Sequence, residues 1–412
     1  MSSDVRRHLP AHERPSGAAA RRDYPVLPGL DTVRALGAFL VLATHVAFWS
    51  GGYDFTYTGT LLARLDVGVP LFFVLSGFLL SRPFLVRARL GKRPPELGSY
   101  LWKRGLRVLP VYWVVTVLAL VFLTDNSGTG FLGWVRTLTL TDIYLADRLP
   151  AGLTQMWSLA TEVAFYAFLP VIMLGWNRAT RGNRTELRVV AMLALSVAVT
   201  AVWVLSEPQW LIDQAPLYLQ WLPTTITWFV VGIALSQVHD HVLQAGGADR
   251  MPDSGIFAAV VRLGRQPGVC WVLAVALFAI ACTPLGGPPI FVPATPAQLM
   301  TKMMLYAAIG GLIVLGTAFA DERGRYARVM AAPAMRHLGH ISYGVFCIHI
   351  LVLHLISHVT DWVQFGGFGW QRLAVTLMIS VAAAEVLHFG LERPLQRLRG
   401  RRAGPSVSVT TV

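Results

Sequence analysis

Arg34 and His45 stand eleven residues apart in Leu30–His45, a stretch otherwise nearly free of charge. Eleven residues make three turns of α-helix plus roughly 20°, so both side chains project from one face, on the order of 16 Å apart along the axis. The segment is apolar and long enough to span a bilayer. Ionisable groups are costly there and are functional-site candidates by default. Imidazole is the side chain best suited to general-base work near neutral pH. The plainer alternative is a snorkelling arginine at the boundary and a histidine hydrogen-bonded to a neighbouring helix. Asp31, three residues before Arg34, is spaced to pair with it at the helix entry.

Five further patterns carry polar chemistry in apolar surroundings. Ser76-Gly77 lies in the run Gly68–Leu80, where small residues let a neighbouring backbone approach closely, so it reads first as a packing element. Arg104 and Arg107, spaced i, i+3 on one helical face, are either boundary anchors or an anion site, because guanidinium forks suit phosphates. Ser158, Glu162 and Tyr166 recur every four residues down an apolar helix that begins at Met156-Trp157. Glu162 needs a basic partner from another helix, arginine or charged histidine. Ser342 and His349 are two turns apart on one face of Leu338–His349, with Tyr343 beside them; a histidine bonded to a backbone carbonyl is the alternative there. Leu391-Glu392-Arg393-Pro394 ends the last apolar segment, where Glu392 also fits a boundary ion pair.

The elements that position these groups are membrane helices. Of the 412 residues, 54% are hydrophobic and 14% charged, and the mean hydropathy is +0.54. Soluble domains carry about a quarter charged residues, so the chain reads as an integral membrane protein of all-α class. Ten segments of spanning length fall near 29–50, 66–86, 105–124, 155–176, 189–206, 217–237, 268–283, 298–320, 338–357 and 370–391. The net charge of +13 falls between these segments rather than on one amphipathic stretch, which argues against nucleic acid. With the N-terminus inside, only Arg64, Arg136, Arg148, Lys302 and Arg372 of the 35 basic residues fall outside. The positive-inside rule therefore predicts ten spans with both termini cytoplasmic. Residues 1–28 and 397–412 read as disordered cytoplasmic tails flanking one membrane domain, 29–396. The portion Phe131–Leu140 of the external stretch 125–154 reads as a short interfacial helix. Cys270, Cys282 and Cys347 lack metal-ligand spacing and read as free buried thiols. Lysine occurs only at Lys92, Lys103 and Lys302; with abundant Ala, Gly and Val this suggests a high-GC bacterial genome.

No His-Glu-x-x-His, Cys-x-x-Cys pair, Walker loop or Gly-x-Ser-x-Gly elbow occurs, so metal, nucleotide-hydrolysis and serine-hydrolase mechanisms lack sequence support. Six pieces in order carry a resemblance. They are Leu30-Asp31-x-x-Arg34-Ala35 with His45, Phe72-Phe73-Val74-Leu75-Ser76-Gly77-Phe78-Leu79-Leu80 and Arg104-x-x-Arg107-x-x-Pro110-x-Tyr112-Trp113. Trp157-Ser158-Leu159-x-x-Glu162-x-x-Phe165-Tyr166, Gly339-His340-Ile341-Ser342-Tyr343-Gly344-x-Phe346-x-x-His349 and Leu391-Glu392-Arg393-Pro394 complete the set. Together they resemble the integral-membrane acyltransferase family 3, bacterial enzymes that O-acylate glycans, glycolipids and some macrolides. Thr32 stands where the family usually has glycine. The family often adds a further span and an extracytoplasmic hydrolase-like domain; this sequence, without them, reads as the standalone form.

The resemblance implies an acyl group, acetyl first, taken from acyl-CoA as co-substrate with no cofactor or metal. The acceptor would be a hydroxyl of a cell-envelope glycan or glycolipid, or else a macrolide-type secondary metabolite. His45 would be the general base, Arg34 would orient the site or stabilise oxyanion charge, and Glu162 would hold His45 in its working tautomer or stabilise its protonated form. Arg104 and Arg107 would meet the donor's phosphates. Asp31, Ser76, Trp157, Ser158, Tyr166, Ser342, Tyr343 and His349 would line the cavity. The expected location is the bacterial inner membrane, multi-pass. The rival reading is a secondary transporter or flippase of a lipid-linked sugar, for which the paired half-repeats usual in transporters are not visible in the sequence.

Overall fold

The computed structural model describes residues 24–179, 185–206, 215–251, 254–289 and 292–398. Most of the two predicted tails and of the arginine-bearing loop 177–184 lies outside the described residues. Among those residues every regular element is helical. In chain order the helices are α1 (Gly29–Trp49), α2 (Tyr57–Arg64), α3 (Gly68–Arg89), α4 (Leu97–Phe122), α5 (Phe131–Leu138), α6 (Asp142–Leu145), α7 (Met156–Ala179) and α8 (Thr185–Leu205). They continue with α9 (Leu222–Ala245), α10 (Ile256–Gly264), α11 (Pro267–Ala281), α12 (Pro296–Ala318), α13 (Arg325–Met330), α14 (Pro333–Val359), α15 (Gly369–Leu387) and α16 (Arg393–Leu398).

Nine helices among the described residues are long and apolar enough to cross a membrane. The seventh predicted span, 268–283, is built differently. Its helix α11 has 15 residues, about 22 Å at 1.5 Å per residue, short of the roughly 30 Å hydrocarbon core. It meets α10 at a bend of 94°, so a tenth crossing exists only if the bent pair counts as one span. Pro267 opens α11, where its missing N–H and fixed φ suit the first helical position and bar continuation from α10. The stretch expected to hold an interfacial helix does form α5, with Phe131 and Leu132 exposed. All three cysteines are free and buried.

Small residues set how closely the central helices cross. A Cβ on Gly77 of α3 would fall 2.0 Å from the Phe229 carbonyl oxygen, and one on Gly232 of α9 would fall 2.0 Å from that of Val74. The two glycines therefore hold α3 and α9 backbone to backbone, the close packing that small residues permit in membranes. Phe73, Phe165 and Phe229 stack beside this crossing, with centroids 4.3 and 4.0 Å apart. Gly232→Ala is expected to cost roughly 1–3 kcal/mol by overpacking, read as earlier thermal unfolding in detergent; an unchanged unfolding curve would show that the two helices can separate freely.

α1 is the element the site depends on, and it packs against α3 and α14. Gly339 on α14 lies against the Asp31 carbonyl oxygen, 2.2 Å from where its Cβ would stand. That contact fixes the register of α14 on the first turn of α1. Thr32, the departure from the family's glycine, uses its hydroxyl to donate to the Met330 carbonyl at the end of α13.

Two of the five basic residues assigned to the outer side serve as internal ties. Arg64, 3% exposed, donates to the carbonyls of Ala281, Gly286 and Gly287. Arg372, 0% exposed, donates to those of Trp49, Trp362 and Val363. A guanidinium buried among carbonyls reports on loop closure rather than on membrane orientation.

Candidate active site

Arg34 projects from the second turn of α1 and donates to Asp31 three residues earlier. It lines a cavity of about 90 Å³ with Ser76 of α3, Arg104 and Arg107 of α4, Glu162 and Tyr166 of α7, and Ser342 and Tyr343 of α14. Five motifs spread along the chain from Arg34 to Tyr343 thus face one space. Ser76 donates to Glu162 across the α3–α7 contact, so the serine beside the packing glycine has a polar task of its own. Ser342 donates to the Gly339 carbonyl at 2.8 Å and Tyr343 to the Val108 carbonyl at 2.7 Å. Both hydroxyls are spent locally, and the two residues act as wall. The basic partner expected for Glu162 is present as three guanidinium groups on the same wall. Among the described residues neither Arg104 nor Arg107 forms an ion pair with a carboxylate.

The small cavity continues into a vestibule of about 720 Å³, sharing Arg34, Leu79, Leu80, Arg104, Arg107 and Tyr343. Arg82, Arg336 and Arg393 add to its rim, against the carboxylates of Asp31 and Glu392. Arg82 donates to the Pro25 carbonyl at 3.0 Å and lies 4.7 Å over the Tyr24 ring, so the last residues before α1 form part of the wall. After α15 the helix widens into a π-turn, His388–Glu392, which sets His388 Nδ1 2.8 Å from Glu392 Oε2. His388 stacks on His340, centroids 6.4 Å apart, and His340 lies 3.7 Å from Asp31. Arg82, Arg336, His340 and His388 were not singled out from sequence. Each sits at the end of a predicted span, a signal for the boundary that gives no hint they encircle one opening. π-turns are frequent at functional sites, and no sequence pattern announces this one.

His45 occupies a different place. It lies on the face of α1 that meets α14, and His349 Nε2 approaches its Nδ1 to 3.1 Å. The rings are tilted by 45° with centroids 5.1 Å apart. His45 Nδ1 is also 2.7 Å from the Val41 carbonyl oxygen. His349 is 0% exposed, and its Nδ1 faces the carbonyl oxygens of Phe346 at 2.8 Å and Val345 at 3.2 Å.

The companions expected around one cavity therefore divide. Asp31 lines the vestibule, and His349 meets His45. Trp157 packs edge-on against Phe73, and Ser158, buried, donates to the Gln155 carbonyl; neither is among the cavity's lining residues. Of the Ser158/Glu162/Tyr166 stripe, only the lower two members reach the opening. Glu162 receives Ser76, and no hydrogen bond or ion pair joins it to His45 among the described residues. The side chain that meets His45 Nδ1 is His349.

A profile of this architecture, described as an acyltransferase domain, matches residues 27–385. The chain belongs to acyltransferase family 3. It is an acyltransferase, and the transporter reading gives way to that finding. Acyltransferase MdmB of Streptomyces mycarofaciens is 26% identical, over 91% of this chain and 93% of its own length. Nodulation protein 10 of Rhizobium leguminosarum is 24% identical, over 92% and 96%. Peptidoglycan O-acetyltransferase OatA of Listeria monocytogenes is 22% identical over 82% of this acyltransferase, which spans about half of that longer relative, 51%. No solved structure matches the chain.

Proposed function

We propose that this acyltransferase moves an acyl group, acetyl first, from acyl-CoA to a hydroxyl of a cell-envelope glycan or glycolipid. The observation that carries the reading is the disposition of α1, which joins an arginine-lined opening at Arg34 to the imidazole pair at His45. The two are on the order of 16 Å apart along one helix face. A donor with phosphates at one end and a thioester at the other end of a slender arm fits that arrangement. Unpaired guanidiniums on Arg104 and Arg107 suit the phosphates. Gly37, between Arg34 and His45, leaves α1 without a side chain where the Gly68 carbonyl and the ring of Phe72, itself a cavity residue, lie 3.1 and 3.2 Å from the place of a Cβ. The named relative that acetylates peptidoglycan supports an envelope glycan as acceptor and acetyl as the group.

In this mechanism His45 Nε2 takes the proton of the acceptor hydroxyl as its oxygen attacks the thioester carbonyl. The C–O bond forms, the C–S bond of the tetrahedral intermediate breaks, and the departing thiolate recovers the proton from His45. Ester and free thiol are the products. Arg34 belongs to the donor end in this scheme and not to the oxyanion. Its guanidinium turns toward Asp31, away from His45, and no arginine side chain covers that separation. Glu162 balances the guanidiniums around the donor. In this reading the arginine-rich end faces the cytoplasm, where acyl-CoA is found, and both termini lie on the inner side of a bacterial plasma membrane.

The test is transfer itself. Purified protein in liposomes, given radiolabelled acetyl-CoA and an envelope extract from cells lacking it, should label one component, and that component should lack one acyl mass in the deletion strain. No transfer from any acyl-CoA, with an unaltered envelope mass profile, overturns the reading.

A further inference from the structure

The imidazole pair assigns a task to His349 once hydrogens are placed. Its Nδ1 faces two carbonyl oxygens, at 2.8 and 3.2 Å. A carbonyl only accepts, so that nitrogen carries the hydrogen, and in the neutral ring Nε2 keeps the lone pair. His45 Nδ1 then faces two acceptors, the Val41 carbonyl at 2.7 Å and the His349 lone pair at 3.1 Å. It carries a hydrogen too, donated between them. The opposite assignment would set lone pair against lone pair at one or both contacts. The network thus leaves His45 Nε2 as the free basic nitrogen.

We propose that His349 is the positioning residue of the acyl transfer: a neutral imidazole that fixes the tautomer and orientation of His45, the task a carboxylate performs in Ser-His-Asp triads. This rests on the reading of His45 as the base. The Val41 carbonyl lies on the same helix four residues back and moves with His45, whereas His349 comes from α14 and anchors the ring to a second element. When His45 Nε2 takes the hydroxyl proton, the imidazolium donates through Nδ1 to His349 Nε2 in a charge-assisted bond. His349 cannot take that proton onward without becoming a buried cation itself. The proton on His45 Nε2 is then the one returned to the leaving thiolate. Phe346 stands 6.1 Å from the His349 ring and 5.8 Å from Phe72, an aromatic backing that keeps the ring in place.

α14 supplies its own control. His354, five residues further on, meets Trp49 edge-on at 4.5 Å and, among the described residues, makes no hydrogen bond or ring contact with His45, so its replacement should leave the turnover intact.

The experiment compares His349→Leu, His349→Met, His349→Gln and His354→Leu in the reconstituted transfer assay, each first checked for a monodisperse, wild-type-like unfolding profile. The glutamine Oε1 can replace the Nε2 lone pair; leucine and methionine cannot. His349→Leu and His349→Met should lower kcat about 100-fold or more, the scale of losing an orienting partner, with donor and acceptor KM within about threefold. His349→Gln should stay within about tenfold of wild type, and His354→Leu within about twofold. The double variant His45→Ala/His349→Leu should be no slower than His45→Ala. Equal losses for the glutamine and the apolar variants, or unchanged kcat in the apolar ones, overturn the proposal. Should the apolar variants not fold, the folded glutamine variant decides: kcat as low as that of His45→Ala overturns it. An active His45→Ala enzyme instead overturns the underlying base assignment. An inactive His45→Ala with unaffected His349 variants leaves the base in place and removes only the role of His349.

Discussion

His45→Ala is expected to lower kcat by roughly 10³-fold, within the range general acid–base catalysis contributes, while the protein stays folded and inserted. The hydroxyl of an acceptor is a poor nucleophile until its proton leaves, and His45 Nε2 is the one ring nitrogen of the pair whose lone pair is not already engaged within it. Alanine also removes the donor to His349, whose buried Nε2 is then unmatched at a cost of about 1–3 kcal/mol. The unfolding temperature should therefore fall somewhat without loss of the folded state. His45→Gln separates the two effects: its amide can restore a donor to His349 and can accept no proton, so stability should recover while activity does not. Steady-state kinetics with labelled acetyl-CoA, alongside thermal unfolding in detergent, reads both. Wild-type kcat in folded His45→Ala would remove His45 from the reaction.

Much of this site was legible in the sequence because the membrane makes polar residues conspicuous. Arg34, Ser76, Arg104, Arg107, Glu162, Tyr166, Ser342 and Tyr343 stood out by type and spacing, and all of them line one cavity. What spacing does not encode is the pairing between helices. Periodicity puts Ser158, Glu162 and Tyr166 on one stripe, yet Ser158 is buried on the Gln155 carbonyl while the other two line the cavity. Nor does it tell Glu162 from His349 as the neighbour of His45, because that depends on which face of α1 meets α14. Gly339, against the Asp31 carbonyl, sets that register, and a glycine gives no sign of its partner. Hydropathy found nine long apolar helices among the described residues, and it marked the seventh segment without showing that its helix belongs to a bent pair. It weighs apolar content, while α11 is set apart by its length and by the bend before Pro267.

Arg104→Ala/Arg107→Ala is expected to raise the donor KM by roughly 10²–10⁴-fold and to leave kcat at saturating donor close to wild type. Each guanidinium that meets a phosphate contributes a charge-assisted bond of about 1.5–3 kcal/mol, and each 1.4 kcal/mol is tenfold in affinity. Contacts made at the nucleotide end are the same before and during the chemistry, so their loss appears in KM and not in kcat. The single variants should divide the effect unequally. Arg104 is half-buried and its Nε has no partner, so its charge is less screened than that of exposed Arg107. Arg104→Lys, which keeps the charge and loses the planar fork, should fall between wild type and alanine. Acetyl-pantetheine, a donor without phosphates, provides the internal control. It should be used slowly by wild type and equally slowly by the double variant, because the arginines have nothing to hold. A double variant that loses acetyl-pantetheine turnover as steeply as acetyl-CoA turnover would place these arginines in the wall of the catalytic cavity and not on the phosphates. Rising ionic strength should raise the wild-type donor KM and leave that of the double variant flat, since the charges being screened are the ones removed.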